Sequence, residues 1–273
     1  MKKTVIILAL LAVVAGSCGQ ATKKQVEVTE TDNFVNVSDS LKINKSLIYY
    51  FDAKIPVFDS ITDISLLENI YAPTKISTDD YSKNGLQKAL SALKEQYFSE
   101  TKAADWDEEG NFDSIDDQIN MNVFSKTDNF MTIIYTHEGY AGGAHGFHRE
   151  TYKMFDLKNS NPVLLENIIK NSTDEIWSRI LKDKLLANDE EIYEMLLVDT
   201  IPLNDNFYFD NKGITFVYNQ YEIAAYAAGV IYIQIPFEEI RKLLMPDYKE
   251  IEKGGDDAIS FINEKDLTIK IQK

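Results

Sequence analysis

Three strand-like runs stand in a row after one long amphipathic helix, and this order constrains the fold more than any other feature of the chain. The helix is read from "STDDYSKNGLQKALSALKEQYFSETKAAD", where Leu86, Leu90, Leu93 and Tyr97 recur at helical spacing. Ser77 or Thr78 is placed to cap it, with acidic residues in its first turn. The runs are "SIDDQINMNVFSK", "NFMTIIYTHEG" and "GFHRETYKMFDL", separated by a turn at 126–129 and by a glycine-rich loop. Strands that follow one another without intervening helices make an antiparallel meander, not a doubly wound parallel sheet. The expected class is therefore α+β, antiparallel sheets with packed helices.

The flanking segments fit that class. A strand is expected over 45–56 in "LKINKSLIYYFDAKIPVF", and a short helix after Ser60 or Asp63. Downstream, "STDEIWSRILKDKLLAND" reads as a second capped helix with Ile176, Ile180, Leu181 and Leu185 on one side, and "EEIYEMLLVD" extends or follows it. "NFYFDNKGITFVYN" is a hairpin turning at Asn211, Lys212 and Gly213. "GVIYIQIP" is a further strand and "FEEIRKLL" a closing helix, before a charged tail with one possible strand at 267–271. Helix and strands in the second half echo those of the first, which predicts two lobes of similar size.

The first twenty residues, "MKKTVIILALLAVVAGSCGQ", read as an export signal. Lys2 and Lys3 precede an apolar run from Val5 to Val14, too short to span a bilayer as a helix. "AGSC" resembles the lipobox of bacterial lipoproteins, in which the cysteine thiol is lipidated and the cysteine becomes the first residue. Cys18 is the only cysteine in the chain, so no disulfide can form within one molecule. The expected site of lipidation is Cys18, and the expected location is the cell envelope, on the periplasmic face of the outer membrane. The formal net charge is −16, and loss of the two signal lysines takes it to −18. Such a chain repels phosphate backbones and steers in cationic partners, so nucleic acid is not an expected partner.

All three histidines, His137, His145 and His148, fall in "YTHEGYAGGAHGFHRET". Three imidazoles could in principle hold zinc, with Glu138 or Glu150 as a base. Positions 145 and 148 would face opposite sides of an extended strand, however, unless Gly146 bends the chain. The loop contains no nucleophile elbow and no phosphate-binding loop. Glycines that allow positive φ in a wide turn account for it more simply, and neither a metal nor another cofactor is expected. In "NQYEIAAYAAG", Tyr221, Tyr226 and Glu222 could line a ligand groove, but the Tyr rings beside Ala and Gly read equally as core packing, the weightier alternative.

The phrases "GYAGGAHG", "YKMFDLKNSNPVLLENII" and "FYFDNKGITFVYNQYEIAAYAAGVIYIQIPFEEIRKLL" together resemble the extracellular domain of RsiV-type anti-sigma factors. The part from about Leu41 to Glu138 resembles the accessory domain that precedes the catalytic domain of PdaC-type peptidoglycan deacetylases. These resemblances imply an accessory α+β domain at 41–140 and an RsiV-type domain at 141–248, and the residues themselves read as a signal at 1–18, a tether at 19–40 and a tail at 249–273. RsiV-type proteins bind lysozyme outside the cell, which implies a binding module whose partner is a cationic protein such as lysozyme, or a peptidoglycan fragment. Tyr140, His145, His148, Tyr221 and Tyr226 are the expected ligand-binding residues. Sigma-factor control is not implied, because an apolar lipoprotein-type leader stands where that family has a cytoplasmic segment and a membrane span. Two other readings are an envelope hydrolase using Glu138, His145 and Glu150 as acid–base groups, and a purely structural envelope lipoprotein.

Overall fold

The chain joins its first sheet earlier than expected. In the computed structural model, β1 (Phe34–Lys42) pairs antiparallel with β2 (Ile48–Pro56). The structure describes residues 33–244 except 105, 107–112, 127–129, 171–174 and 211. The expected export signal, Cys18 and the tail with its possible strand thus lie outside the described residues, as do the expected cap of the second helix and part of two expected turns. Residues 34–40 are strand rather than tether because Val35 and Val37 alternate with polar neighbours and are both buried, which is enough to hold a sheet margin.

The chain then crosses over the sheet. Asp63 caps α1 (Ile64–Tyr71) by accepting from the Leu66 N–H, as expected for that helix. The long helix, α2 (Lys83–Ala103), begins later than Ser77 or Thr78. Thr78 Oγ1 is engaged in a local turn with Asp80, and Ser82 is the cap, accepting from Gly85 N at 3.2 Å. Leu66, Ile70, Leu86, Leu90 and Leu93 bury the inner faces of both helices on one side of the sheet.

This crossover sets β3 (Ser114–Lys126) parallel to β2. The first sheet is therefore mixed, which corrects the expectation of antiparallel sheets at this one pairing, while the α+β class stands. Two helices between β2 and β3 return the chain to the end where β2 began, and a parallel partner needs such a connection. From β3 the meander runs as expected, through β4 (Phe130–Tyr140) and β5 (Phe147–Asp156), with a short β6 (Asn161–Val163) closing the order β1-β2-β3-β4-β5-β6.

Odd-numbered residues of the meander, among them Met121, Ile133, Tyr135 and Phe155, face α1 and α2. Even-numbered Tyr152 and Met154 face the second half, where a separate core forms. That core is built on the antiparallel sheet of β7 (Phe207–Phe209), β8 (Gly213–Tyr218) and β9 (Ile231–Pro236). Helices α3 (Leu165–Ile168) and α4 (Glu175–Asn188) cover it, with Trp177, Leu181 and Leu185 buried. A separate α5 (Glu190–Glu194) follows, and α6 (Phe237–Ile240) continues into a 3-10 turn at Arg241–Leu243. The expected division at 140/141 falls inside the β4–β5 hairpin, so the first sheet extends past it to Val163. The fold class is α+β, with one six-stranded and one three-stranded sheet among the described residues.

Candidate functional site

Backbone geometry shapes the glycine loop first. Residues 141–146 link β4 to β5, and Gly142 and Gly143 take φ of 84° and 93°. At Gly139 an added Cβ would run into the Asp116 carbonyl of β3. The glycines thus do what the sequence suggests, permitting left-handed backbone and close strand approach. Tyr140 donates its hydroxyl to the Gly143 carbonyl at 2.8 Å, so it braces the loop.

The three histidines separate into three environments. His137 faces α2: its Nε2 lies 2.6 Å from Asp117, which also accepts from the Tyr49 hydroxyl at 2.9 Å. His148 faces the other way, opposite Glu138 in the strand register. Its Nδ1 is 2.8 Å from Glu138 and its Nε2 3.1 Å from Glu150. His145 lies in the loop and stacks on Tyr226, ring centroids 3.7 Å apart. The Gly146 carbonyl, 2.9 Å from His145 Nδ1, can only accept, so Nδ1 carries the proton; in the neutral ring Nε2 then accepts from the Tyr221 hydroxyl at 3.2 Å. Among the described residues no group of three or more His, Cys, Asp or Glu side chains is arranged to hold a metal ion.

Glu150 is a saturated hub. One carboxylate oxygen faces His148, and the other accepts from the Tyr152 and Tyr232 hydroxyls at 3.0 and 2.6 Å. Burial, reinforced by the Glu150 charge, pushes both phenols far above the ordinary tyrosine range. Burial alone would lower the His148 pKa, but Glu150 and Glu138 outweigh it and the net shift is upward. A raised folded-state pKa gives stability that is complete below the unfolded value of 6.5 and fades as pH rises through the folded value. Between about pH 6 and 8 the melting temperature should therefore fall more steeply in the wild type than in His148→Gln. The group is half-exposed, so solvent screening limits the difference to under about 1 kcal/mol. Equal slopes in the two proteins would show that the pair contributes nothing.

The "NQYE" turn holds the second half against β5. Asn219 Oδ1 accepts from the Glu150 N–H at 2.7 Å, Gln220 Oε1 from the His148 N–H at 3.0 Å, and Asn206 Oδ1 from the Tyr152 N–H at 2.7 Å. Asn206 and Asn219 return bonds to the Glu150 carbonyl at 2.8 and 3.1 Å. Three amide side chains thus satisfy the outer margin of β5. The sequence reading missed all three, although their clustering at the ends of an apolar hairpin was a signal available to it.

Tyr221 and Tyr226 do not pack in the core, which corrects the weightier of the two sequence alternatives. Glu222 accepts from Asn219 N at 3.0 Å and closes the turn, and Ile223 and Ala224 are buried beneath it. This turn forces Tyr221 to φ 66° and leaves it 61% exposed. A tyrosine in the left-handed region costs roughly 1–2 kcal/mol, so the strain must be imposed by its surroundings. His145, Tyr221 and Tyr226 form one surface platform. His148 lies in the Glu138–Glu150 cluster, and Tyr140, the last residue of β4, braces the loop that carries His145.

The architecture defined by these features is a two-core α+β protein whose second core is clasped to the edge of its first sheet. Residues 157–238 match the family model DUF3298, described as a protein of unknown function. The crystal structure of a DUF3298 family member from Bacteroides fragilis NCTC 9343 is similar, at 23% identity over 80% of this chain and 96% of that one, with a TM-score of 0.61. A DUF3298 family protein from Pseudomonas aeruginosa PAO1 is similar at 16% identity, covering 78% and 94%, with a TM-score of 0.50. At these identities the likeness establishes the fold alone. No curated protein matches the chain.

Proposed function

We propose that this protein is a lipid-anchored binding module of the bacterial cell envelope, acting without catalysis and receiving its partner on the His145–Tyr221–Tyr226 platform. The observation that carries this is Tyr221, an exposed ring held in strained backbone by a closed turn. Aromatic rings with polar tips suit recognition surfaces. Glu150, one of the three acid–base groups of the hydrolase reading, has both oxygens committed to His148, Tyr152 and Tyr232, which argues for a structural duty of that residue. The resemblance to RsiV-type domains and the net charge of −16 favour a cationic protein such as lysozyme as partner, with a peptidoglycan fragment as the other candidate. Attachment through Cys18 would place the module at the membrane, on the periplasmic face of the outer membrane in this reading. Among the described residues no helix is long and apolar enough to cross a membrane.

The test is binding kinetics of the purified protein with a lysozyme and with soluble muropeptides, at low and physiological salt. Lysozyme should associate more slowly as salt rises. Joint Tyr221→Ala and Tyr226→Ala should weaken binding at least about tenfold, as loss of central aromatic contacts does. Binding unchanged by the double substitution would reject the platform, and no binding to either ligand would reject the proposed partners.

A further inference from the structure

On the face of the first sheet opposite His148, a groove of about 350 Å³ opens between the sheet, the C-terminal half of α2 and the turn that follows α1. Lys75, Tyr97, Tyr135, His137, Arg149 and Thr151 are among its lining residues. The chain carries 44 acidic against 28 basic residues, yet among the described residues no carboxylate lines this groove and two cations do. Among the described residues neither Lys75 nor Arg149 has an ion-pair partner. The neighbouring carboxylate, Asp117, is engaged by the Tyr49 hydroxyl and by His137. Lys75 ends a 3-10 turn, Ala72–Thr74, at φ 63°, so its backbone is held in the left-handed region at the rim.

We propose that this groove is a binding site for a carboxylate carried on a small apolar body. Arg149 offers a planar fork that pairs with a carboxylate through two parallel hydrogen bonds, and Lys75 adds a second positive charge. The rings of Tyr97 and Tyr135, with Ile119, supply the apolar wall for the rest of the ligand. The volume is at the small end of ligand sites, which restricts the occupant to a single ring or a short peptide end. A free organic acid and a peptide C-terminus present the same group, and the probes below separate them. Its described lining residues do not include His145, Tyr221 or Tyr226, so the site is separate from the aromatic platform.

The experiment is a calorimetric titration of the purified protein with phenylacetate, N-acetyl-phenylalanine, N-acetyl-phenylalanine amide and inorganic phosphate. At least one of the two carboxylates should bind, and the amide and phosphate should bind at least tenfold more weakly. Preference for N-acetyl-phenylalanine would mark a peptide end as the occupant, and preference for phenylacetate a free acid. Arg149→Gln should weaken the favoured carboxylate at least tenfold and Lys75→Gln severalfold, with melting temperatures unchanged. Both positions are exposed; should Arg149→Gln not fold, Lys75→Gln decides the matter alone. The joint Tyr221→Ala and Tyr226→Ala variant should bind the carboxylate as the wild type does, whatever the fate of the platform. The proposal is overturned if neither carboxylate binds by about 10 mM, the limit of a contact worth a few kcal/mol. Equal affinity for the amide or phosphate, or indifference to the folded cation variants, overturns it too.

Discussion

Asn206→Ala is expected to destabilise the protein by about 2–4 kcal/mol, since it leaves the Tyr152 N–H and the Glu150 and Val217 carbonyls without this partner in a half-buried seam. For a domain of this size the melting temperature should fall by roughly 5–15 °C. Asn206→Asp tells acceptor from donor: it keeps an acceptor for Tyr152 but turns a carboxylate oxygen toward two carbonyls, and should remain clearly destabilised. Asn161→Ala is the control. Asn161 is exposed and, among the described residues, its side chain donates only to the nearby Asn159 carbonyl, so its loss should cost under about 0.5 kcal/mol. Denaturant unfolding of the three variants measures this. An Asn206→Ala variant as stable as the control would mean that water replaces the amide at no cost.

The second large effect concerns the proposed lipid anchor. Cys18→Ser should abolish lipid attachment and leave unprocessed precursor, because a serine hydroxyl cannot form the thioether that lipidation requires. The wild type should incorporate labelled fatty acid and partition with membranes, held by about 0.8 kcal/mol per buried methylene. Metabolic labelling, gel mobility and fractionation read the outcome. Normal maturation and membrane partition of Cys18→Ser would remove the lipoprotein proposal.

Periodicity made the meander and the helices legible. Leu86, Leu90 and Leu93 mark the buried face of α2 by their spacing alone, and alternation marks β3, β4 and β5. Neither pattern names a partner, however. That β3 lies parallel to β2 depends on a crossover, and the local sequence of either strand is the same whichever way its neighbour runs. The first strand was obscured by Asn36, Ser38 and Asp39, which look like a polar tether, although Phe34, Val35 and Val37 carry enough apolar surface to hold it. At the site, the residue types were legible and their grouping was not. Glu138 meets His148 through strand register, and His145 meets Tyr221 across 76 positions of chain. The amides were the least visible. Asn and Gln usually face water, and only the paired strand shows that Asn206, Asn219 and Gln220 serve a backbone margin.

Those margins also limit how a partner can be recognised. Many binding modules take a peptide by adding it as a further strand to an exposed sheet edge, so that affinity comes from main-chain bonds. On β5 that option is closed, since the N–H groups of His148, Glu150 and Tyr152 are already taken by side chains. The β6 margin is three residues long with Pro162, which has no N–H, at its centre. On β1, Gln87 of α2 reaches the Asn36 carbonyl at 3.4 Å and Lys94 bonds Asp39 at 2.7 Å. A six-stranded sheet guarded in this way resists templating its own copies. For the proposed platform and groove it would leave recognition to shape and side-chain chemistry, so that specificity could change by substitution at their rims without disturbing the strands beneath.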